Sequence, residues 1–310
     1  NKMIQLYDVK RKLSLSNFKG SKYLKCPACG KMRLKPYAYE DGSIESEILG
    51  RCQREVNCNY HLKPSEYFKD RGESFFNSPT FTKPVPKEIY YLDRELCEKI
   101  ALNYKASTLL TYLNKTGINY DSIFEKYKVG AGKFGQTVFF QFDGFKFRAG
   151  KIIKYTENGH RDKSSDKPVS LVHKWTKDFD EDKQEIDQCF FGLHLVDESN
   201  TICLVESEKT AVICAGLFPK AVWLATGGRT QLQAVKLNAL GSNKRIILFP
   251  DTDSIVYWRD KVKSIGGCEV IDTTDLNKYC VKGADLADFL LDSGTEIARK
   301  TYNLVNNLIF

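Results

Sequence analysis

From Thr201 onward, short strand-like runs alternate with helix-like segments of about ten residues, and this alternation constrains the fold more than any other feature of the chain. "TICLV" (201–205), "AVWLA" (221–225), "KRIILF" (244–249) and "CEVIDT" (268–273) have the apolar, β-branched content of buried strands. "SEKTAVICAGL", "RTQLQAVKLNAL" and "SIVYWRDKVKSIG" separate them, and "ADLADFLLD" begins a last helix. Strands separated in this way pair in parallel, with the helices as crossovers. The expected fold class is therefore α/β.

In open sheets of this kind, ligands bind outside the carboxyl ends of the strands. Glu206 directly follows "TICLV", and Asp251 and Asp253 follow the strand in "IILFPDTDS". Residues two apart in an extended segment point the same way, so both aspartates can face the point that Glu206 reaches. A polar turn with a helix cap uses the same residue types. Three converging carboxylates raise one another's pKa unless a cation neutralises them. The hard cation that suits oxygen ligands is Mg²⁺ or Mn²⁺, which shares its shell with phosphate oxygens. A fourth acid, Asp285 in "VKGADLADFL", opens the last helix and offers a ligand for a second ion or an outer-shell water. Two ions about 3.5–4 Å apart would support phosphoryl or nucleotidyl transfer.

Of the ten cysteines, four crowd the N-terminal block: Cys26-Pro-Ala-Cys29, then 22 residues, then Cys52 and Cys58 with five between them. "CPACGK" is a zinc knuckle by its spacing and its glycine, and a closed four-ligand site is structural. The expected ligands are Cys26, Cys29, Cys52 and Cys58, with His61 as a possible substitute for Cys52 or Cys58. Lys25, Lys31, Arg33, Lys35, Tyr37, Tyr39, Arg51 and Arg54 surround the cluster. They offer cations for phosphates and rings for base stacking, or simply a solvated basic face.

The net charge of +8 on 310 residues is compatible with a polyanionic partner without requiring one. No apolar run approaches the roughly 20 residues that span a bilayer, and the first residues lack a secretory core, so a cytoplasmic protein without membrane contact is expected. The organisation read from the chain is a zinc ribbon over 1–70, a linker over 71–87, a helical and then β-rich basic subdomain over 88–198, the α/β domain over 199–292, and a C-terminal helix over 293–310. Residues 88–117 read as one helical stretch, and 121–127 as a second short helix. Asp143-Gly144 reads as the turn of a hairpin within 136–155, and 157–188 as a long polar loop with some local structure. Lys146, Arg148 and Lys154 alternate along the hairpin; a solvent-exposed strand shows the same pattern. His160, His173 and His194 have no catalytic spacing, and Trp223 and Trp258 read as packing residues.

"CLVESEKTAVICAG", "ATGG", "IILFPDTDS" and "KGADLADFL", in that order, resemble the TOPRIM domain of DnaG-type primases, topoisomerases and some nucleases. The family's Glu motif falls on Glu206, its Asp-x-Asp on Asp251 and Asp253, and its later acidic motif on Asp285. Ser207 stands where the family usually has Gly, and Thr210 where an Asp is common. With the zinc ribbon before it, the order of parts resembles a DnaG-type primase. "TVFFQFDGFKFRAGKIIKY" and "CFFGLHLV" resemble that family's polymerase subdomain. The resemblance implies a TOPRIM-type parallel sheet preceded by a mixed α+β subdomain and a zinc β-ribbon. It also implies Mg²⁺-dependent primer synthesis from nucleoside triphosphates on single-stranded DNA. Catalysis then falls to Glu206, Asp251, Asp253 and Asp285, of which the first three hold magnesium. Arg148, Lys151, Lys174 and Lys209 face nucleotide or template. The zinc spacing departs from the family's usual pattern. Only about 20 residues follow the match, too few for a helicase-binding domain, so either a truncated chain or a compact primase of a mobile element is expected, with a replicative helicase or mobile-element replication protein as possible partner. The alternatives are a non-catalytic zinc/TOPRIM DNA-binding protein of the recombination-mediator type and a TOPRIM nuclease.

Overall fold

The computed structural model describes residues 13–15, 23–39, 41–54, 58–69, 86–164, 168–263, 265, 267–272, 284–291 and 296–309. The chain divides into two compact units, Asn1–Val85 and Pro86–Phe310. Most of the expected linker, and Cys280, lie outside the described residues.

The first unit is built on strand β3. Strands β1 (Ser14–Leu15), β2 (Leu24–Lys25), β3 (Met32–Ala38) and β4 (Gly50–Cys52) form antiparallel pairs, each of the others on β3. Leu34, Pro36 and Ala38 alternate inward along β3, the period of a strand with one buried face. A Cβ at Gly50 would lie 2.4 Å from the Lys35 carbonyl oxygen, so β4 approaches β3 closely only because that residue is glycine. Helix α1 (Pro64–Lys69) buries Tyr67 and Phe68 against Leu13 and Leu49.

In the second unit the stretch 88–117 is not one helix. It divides into strand β5 (Glu88–Ile89), helix α2 (Arg94–Leu102), a 3₁₀ turn over Tyr104–Ala106 and helix α3 (Thr108–Asn114). Two N-caps cause the division: Asp93 accepts from the Leu96 N–H at 2.7 Å, and Ser107 from the Leu110 N–H at 3.3 Å. Helix α4 (Asp121–Lys126) follows. Strands β6 (Val129–Ala131), β7 (Thr137–Phe142), β8 (Phe147–Ile153) and β9 (Val169–Leu171) then form an antiparallel meander. The β7–β8 turn passes through Gly144 at φ +98°. The expected loop over 157–188 is more ordered than its polarity suggests. It holds β9, a 3₁₀ turn over Val172–Trp175, and β10 (Gln184–Glu185), which pairs in parallel with β5.

The alternating region forms the sheet that its pattern implies. Strands β11 (Thr201–Val205), β12 (Val222–Ala225), β13 (Arg245–Leu248) and β14 (Cys268–Val270) are all parallel, in the order β12-β11-β13-β14. Helix α5 (Glu208–Leu217) joins β11 to β12, and helix α7 (Ile255–Val262) joins β13 to β14. Between β12 and β13 the expected helix shrinks to a 3₁₀ turn over Arg229–Gln231 and a short α6 (Ala234–Asn238). Helices α8 (Leu286–Leu291) and α9 (Glu296–Ile309) complete the unit.

One hydrophobic core joins the meander to the parallel sheet. The Trp223 N–H donates to the Tyr127 hydroxyl at 3.2 Å, and the Tyr120 hydroxyl donates to the Ile213 carbonyl at 3.3 Å. Phe191 and Ala225 exchange backbone hydrogen bonds of 2.9 and 3.1 Å. Trp223 and Trp258 are fully buried as packing residues. Among the described residues no helix is long and apolar enough to cross a membrane.

Candidate acidic site and zinc centre

Strand order places the acids. Strand β11 connects to β12 on one side while β13 lies on the other, so the carboxyl ends of β11 and β13 flank the reversal of strand order, the usual ligand position in such sheets. Leu204 is in register with Leu248, and the Phe249 N–H donates to the Leu204 carbonyl at 2.8 Å. Glu206 and Asp251 therefore emerge side by side, and the Asp251 N–H donates to Glu206 Oε1 at 3.3 Å. The Thr252 N–H donates to the Ala284 carbonyl at 3.1 Å, which brings the start of α8, and Asp285, against the same loop.

The acids are desolvated and press on one another. Burial pushes Asp251 up to about 9, and the charges of Glu206, Asp285 and Asp253 add to it. Burial also raises Glu206, with the Ser254 hydroxyl and the Asp251 N–H opposing. Asp285 is raised by burial and by Asp288, against the Thr210 hydroxyl and the Lys209 charge. A set of hard anionic oxygens in mutual repulsion has the chemistry of an alkaline-earth cation site. The geometry is more open than that chemistry requires. Among the described residues, the only three or more Cys, His, Asp or Glu ligand atoms lying within 4.8 Å of one another belong to the cysteine cluster.

The expected basic residues divide. Lys151, on β8, reaches the end of β12. Its Nζ pairs with Glu208 Oε1 at 2.8 Å and donates to the Gly227 carbonyl at 2.5 Å. Gly227 has φ +85°, and a Cβ there would lie 3.0 Å from Lys151 Nζ, so the glycine both turns the chain and leaves room for the ion pair. Lys209 Nζ donates to the Gly159 carbonyl at 3.4 Å and lowers Asp285 by its charge. Arg148 is committed elsewhere, with Nε on Asp143 Oδ2 at 2.6 Å and Nη1 on Asp187. Lys174 is exposed, 4.0 Å from Glu181. His173 and His194 are held below the ordinary imidazole value, chiefly by burial.

Ser207, Thr210, Ser254 and Glu208 have roles at this edge that the sequence does not spell out. Ser207 caps α5 by accepting the Thr210 N–H at 3.1 Å, and the Thr210 hydroxyl donates to Asp285 Oδ2 at 2.7 Å. The Ser254 hydroxyl opposes the upward shift of Glu206 and lies 3.4 Å from Asp253 Oδ1, and Glu208 pairs with Lys151. The Ser-x-x-Thr spacing at a strand-to-helix junction and the Gly227-Gly228 pair were the available signs.

The cysteine cluster fits zinc. All four Sγ atoms lie within 4.8 Å of one another, with Cys26 to Cys58 at 3.6 Å and Cys29 to Cys52 at 3.9 Å. Tetrahedral thiolates at the usual Zn–S length are about 3.8 Å apart. Two knuckles present them. In the first, Gly30 at φ +67° donates its N–H to the Cys26 carbonyl at 2.8 Å. In the second, the Cys58 N–H donates to the Arg54 carbonyl at 2.8 Å. Without a metal the four sulfurs share their protons unequally: a backbone hydrogen bond at Lys31 pulls the Cys29 thiol down, whereas Cys52 and Cys58 are pushed up by burial and by their neighbouring sulfurs. His61 stands outside the cluster, its Nε2 3.0 Å from the Tyr37 hydroxyl and its ring stacked on Tyr37. Lys25, Lys31, Arg33 and Arg51 are exposed around the ribbon.

Two family models match the chain: a domain of unknown function, DUF6371, over residues 107–252, and a zinc beta-ribbon finger over residues 11–73. No curated protein matches. Similar solved structures include the zinc-binding and RNA polymerase domains of the Aquifex aeolicus primase, at 16% identity and TM-score 0.42 over 67% of this chain. The chain spans 59% of the length of that protein chain. The DnaG primase catalytic domain bound to ssDNA is similar at 12% identity and TM-score 0.44, over 68% of this chain and 80% of that one. The primase fragment of the bacteriophage T7 primase-helicase protein is similar at 15% identity and TM-score 0.40, over 90% of this chain and 98% of that one.

Proposed function

We propose that the chain is a primase that joins nucleoside triphosphates on single-stranded DNA. The observation that carries this reading is the convergence of Glu206 and the Asp251–Asp253 loop at the carboxyl ends of two adjacent parallel strands, with Lys151 at the end of the third. The order of these residues resembles the TOPRIM pattern. Glu206, Asp251 and Asp253 would hold a divalent cation, and Asp285 stands beside them. Bound Mg²⁺ or Mn²⁺ supplies charge neutralisation for the triphosphate and a lowered pKa for the attacking 3′-hydroxyl. Lys151, oriented by Glu208, offers its ammonium to phosphate oxygens, and Lys209 adds a second positive charge. The 3′-hydroxyl would lose its proton to solvent, its oxygen would bond to the α-phosphorus, and the bond from that phosphorus to the α–β bridging oxygen would break as pyrophosphate leaves. The exposed Lys25, Lys31, Arg33 and Arg51 around the zinc ribbon would supply phosphate contacts for a single strand. A replicative helicase or a mobile-element replication protein is the partner that such a primase would serve.

The test is primer synthesis by the zinc-loaded protein on single-stranded templates with Mg²⁺ or Mn²⁺. Template-dependent oligonucleotides that vanish in Asp251→Ala support the reading, and no product on any template overturns it. A second reading, a non-catalytic zinc-ribbon DNA-binding protein, draws on the openness of the acid site, whose ligand oxygens do not gather to within 4.8 Å. DNA binding that is indifferent to Mg²⁺ and to Asp251→Ala would favour it.

A further inference from the structure

We infer that the acidic site takes a single divalent cation, because Asp285 serves as a tether between helices and not as a ligand; this rests on the reading of Glu206, Asp251 and Asp253 as the cation site. Both carboxylate oxygens of Asp285 are already engaged. Oδ2 accepts the Thr210 hydroxyl at 2.7 Å, and Oδ1 accepts the Asp288 N–H at 3.0 Å. The Asp285 N–H donates in return to Asp288 Oδ2 at 3.0 Å, a reciprocal capping arrangement at the start of α8.

The tether continues into α5. Thr210 Oγ1 lies 2.7 Å from Ser207 Oγ. Each hydroxyl has one proton to give. With the Thr210 proton on Asp285, the Ser207 proton goes to Thr210, and Ser207 Oγ still accepts the Thr210 N–H. All the donors of this chain are then used, and the chain links the residue after Glu206 to the first residue of the α8 turn.

A second divalent ion beside Asp285 needs further anionic oxygens from the neighbouring helix. At the position of α5 that faces Asp285, the sequence places a neutral threonine whose hydrogen points at the carboxylate. That hydrogen occupies one of the two lone-pair directions of Oδ2, as the Asp288 N–H does at Oδ1, and places a positive dipole where a second ion would have to sit. Asp285 therefore positions α8, and through the bond from the Thr252 N–H to the Ala284 carbonyl it holds the loop carrying Asp251 and Asp253. Its charge reaches the cation through space only.

The experiment counts Mn²⁺ bound to the zinc-loaded full chain by loss of the free-ion EPR signal, without nucleotide or template. One Mn²⁺ per chain is expected. Two would overturn the single-ion inference and leave the proposed function standing, and none would overturn the cation site itself and the proposed function with it. In Asp285→Asn, with zinc content and circular dichroism native, Mn²⁺ affinity is expected to fall by less than about tenfold, the size of a through-space charge effect, whereas Asp251→Asn is expected to lose the ion. Loss of Mn²⁺ from a folded Asp285→Asn would overturn the inference. The wild-type count stands whether or not that variant folds.

Discussion

Thr210 and Asp285 lie 75 positions apart and are joined by a 2.7 Å hydrogen bond from hydroxyl to carboxylate, which fastens the first turn of α5 to the start of α8. A hydrogen bond to a buried charged group contributes about 1.5–3 kcal/mol. Thr210→Val is expected to lose that much stability in urea unfolding, and Thr210→Ser to recover most of it. A loss under about 0.5 kcal/mol, the range of ordinary surface substitutions, would show that the bond does not form in solution.

The metal-free acid site has a defined pH signature. Asp251 titrates near 3.8 when unfolded and is pushed up to about 9 when folded, first by burial. Below both values it is protonated in either state. As pH rises between them, the unfolded chain releases a proton that the folded chain keeps, so stability falls with pH. The slope approaches about 1.4 kcal/mol per pH unit for one such group, and the raised Glu206 and Asp285 act in the same direction. Melting temperatures of zinc-loaded, magnesium-free protein should drop across this window, and Asp251→Asn should flatten the curve. A melting temperature that climbs through the window contradicts the mutual burial of these acids.

Lys151 and Glu208 separate folding from chemistry. Glu208 is only 3% exposed, so Lys151→Met leaves a buried carboxylate without its partner and is expected to cost about 3–5 kcal/mol. The double variant Lys151→Met/Glu208→Gln removes both charges and should regain most of that stability. Primer synthesis should stay lost in the double variant. Recovery of activity with stability would reduce Lys151 to a structural role.

Zinc holds the small unit together. Cys26, Leu34 and Cys52 form its buried centre at the cluster, with Leu24 and Tyr60 packed against it, and a second small core holds Leu13, Leu49, Tyr67 and Phe68. Apparent zinc-binding energies of about 10–16 kcal/mol are folding energy in ribbons of this size. Cys52→Ser should abolish stoichiometric zinc by metal analysis, and His61→Ala should leave it intact. Zinc lost from His61→Ala would place the imidazole among the ligands after all.

The parallel sheet was legible because the runs of β11, β12 and β13 are almost wholly buried and apolar, and the hairpin because Asp143-Gly144 supplies the required turn. The cysteine spacing announced the zinc centre for a comparable reason: thiolates tolerate few other roles at that density. The break at Asn103–Ser107 was hidden by apolar spacing that runs on through both flanking helices, while the deciding events were two side-chain caps. Strands β9 and β10 were hidden inside a polar segment because each is only two or three residues long and takes its order from its partner strand. The ion pair of Arg148 was hidden because no local pattern reveals Asp187, 39 positions away. Long-range pairing of charges is the part of a site that a sequence does not spell out.

The two-way bond between Phe191 and Ala225 has a consequence for descent. Strands of the meander and strands of the parallel sheet share one apolar interior, sealed by Tyr120, Tyr127 and Phe191. Dividing the chain between Glu198 and Ser199 would bare that interior on both fragments. A piece exchanged at that point would therefore need a new apolar cover for each face it exposes, in place of the one the other half supplies.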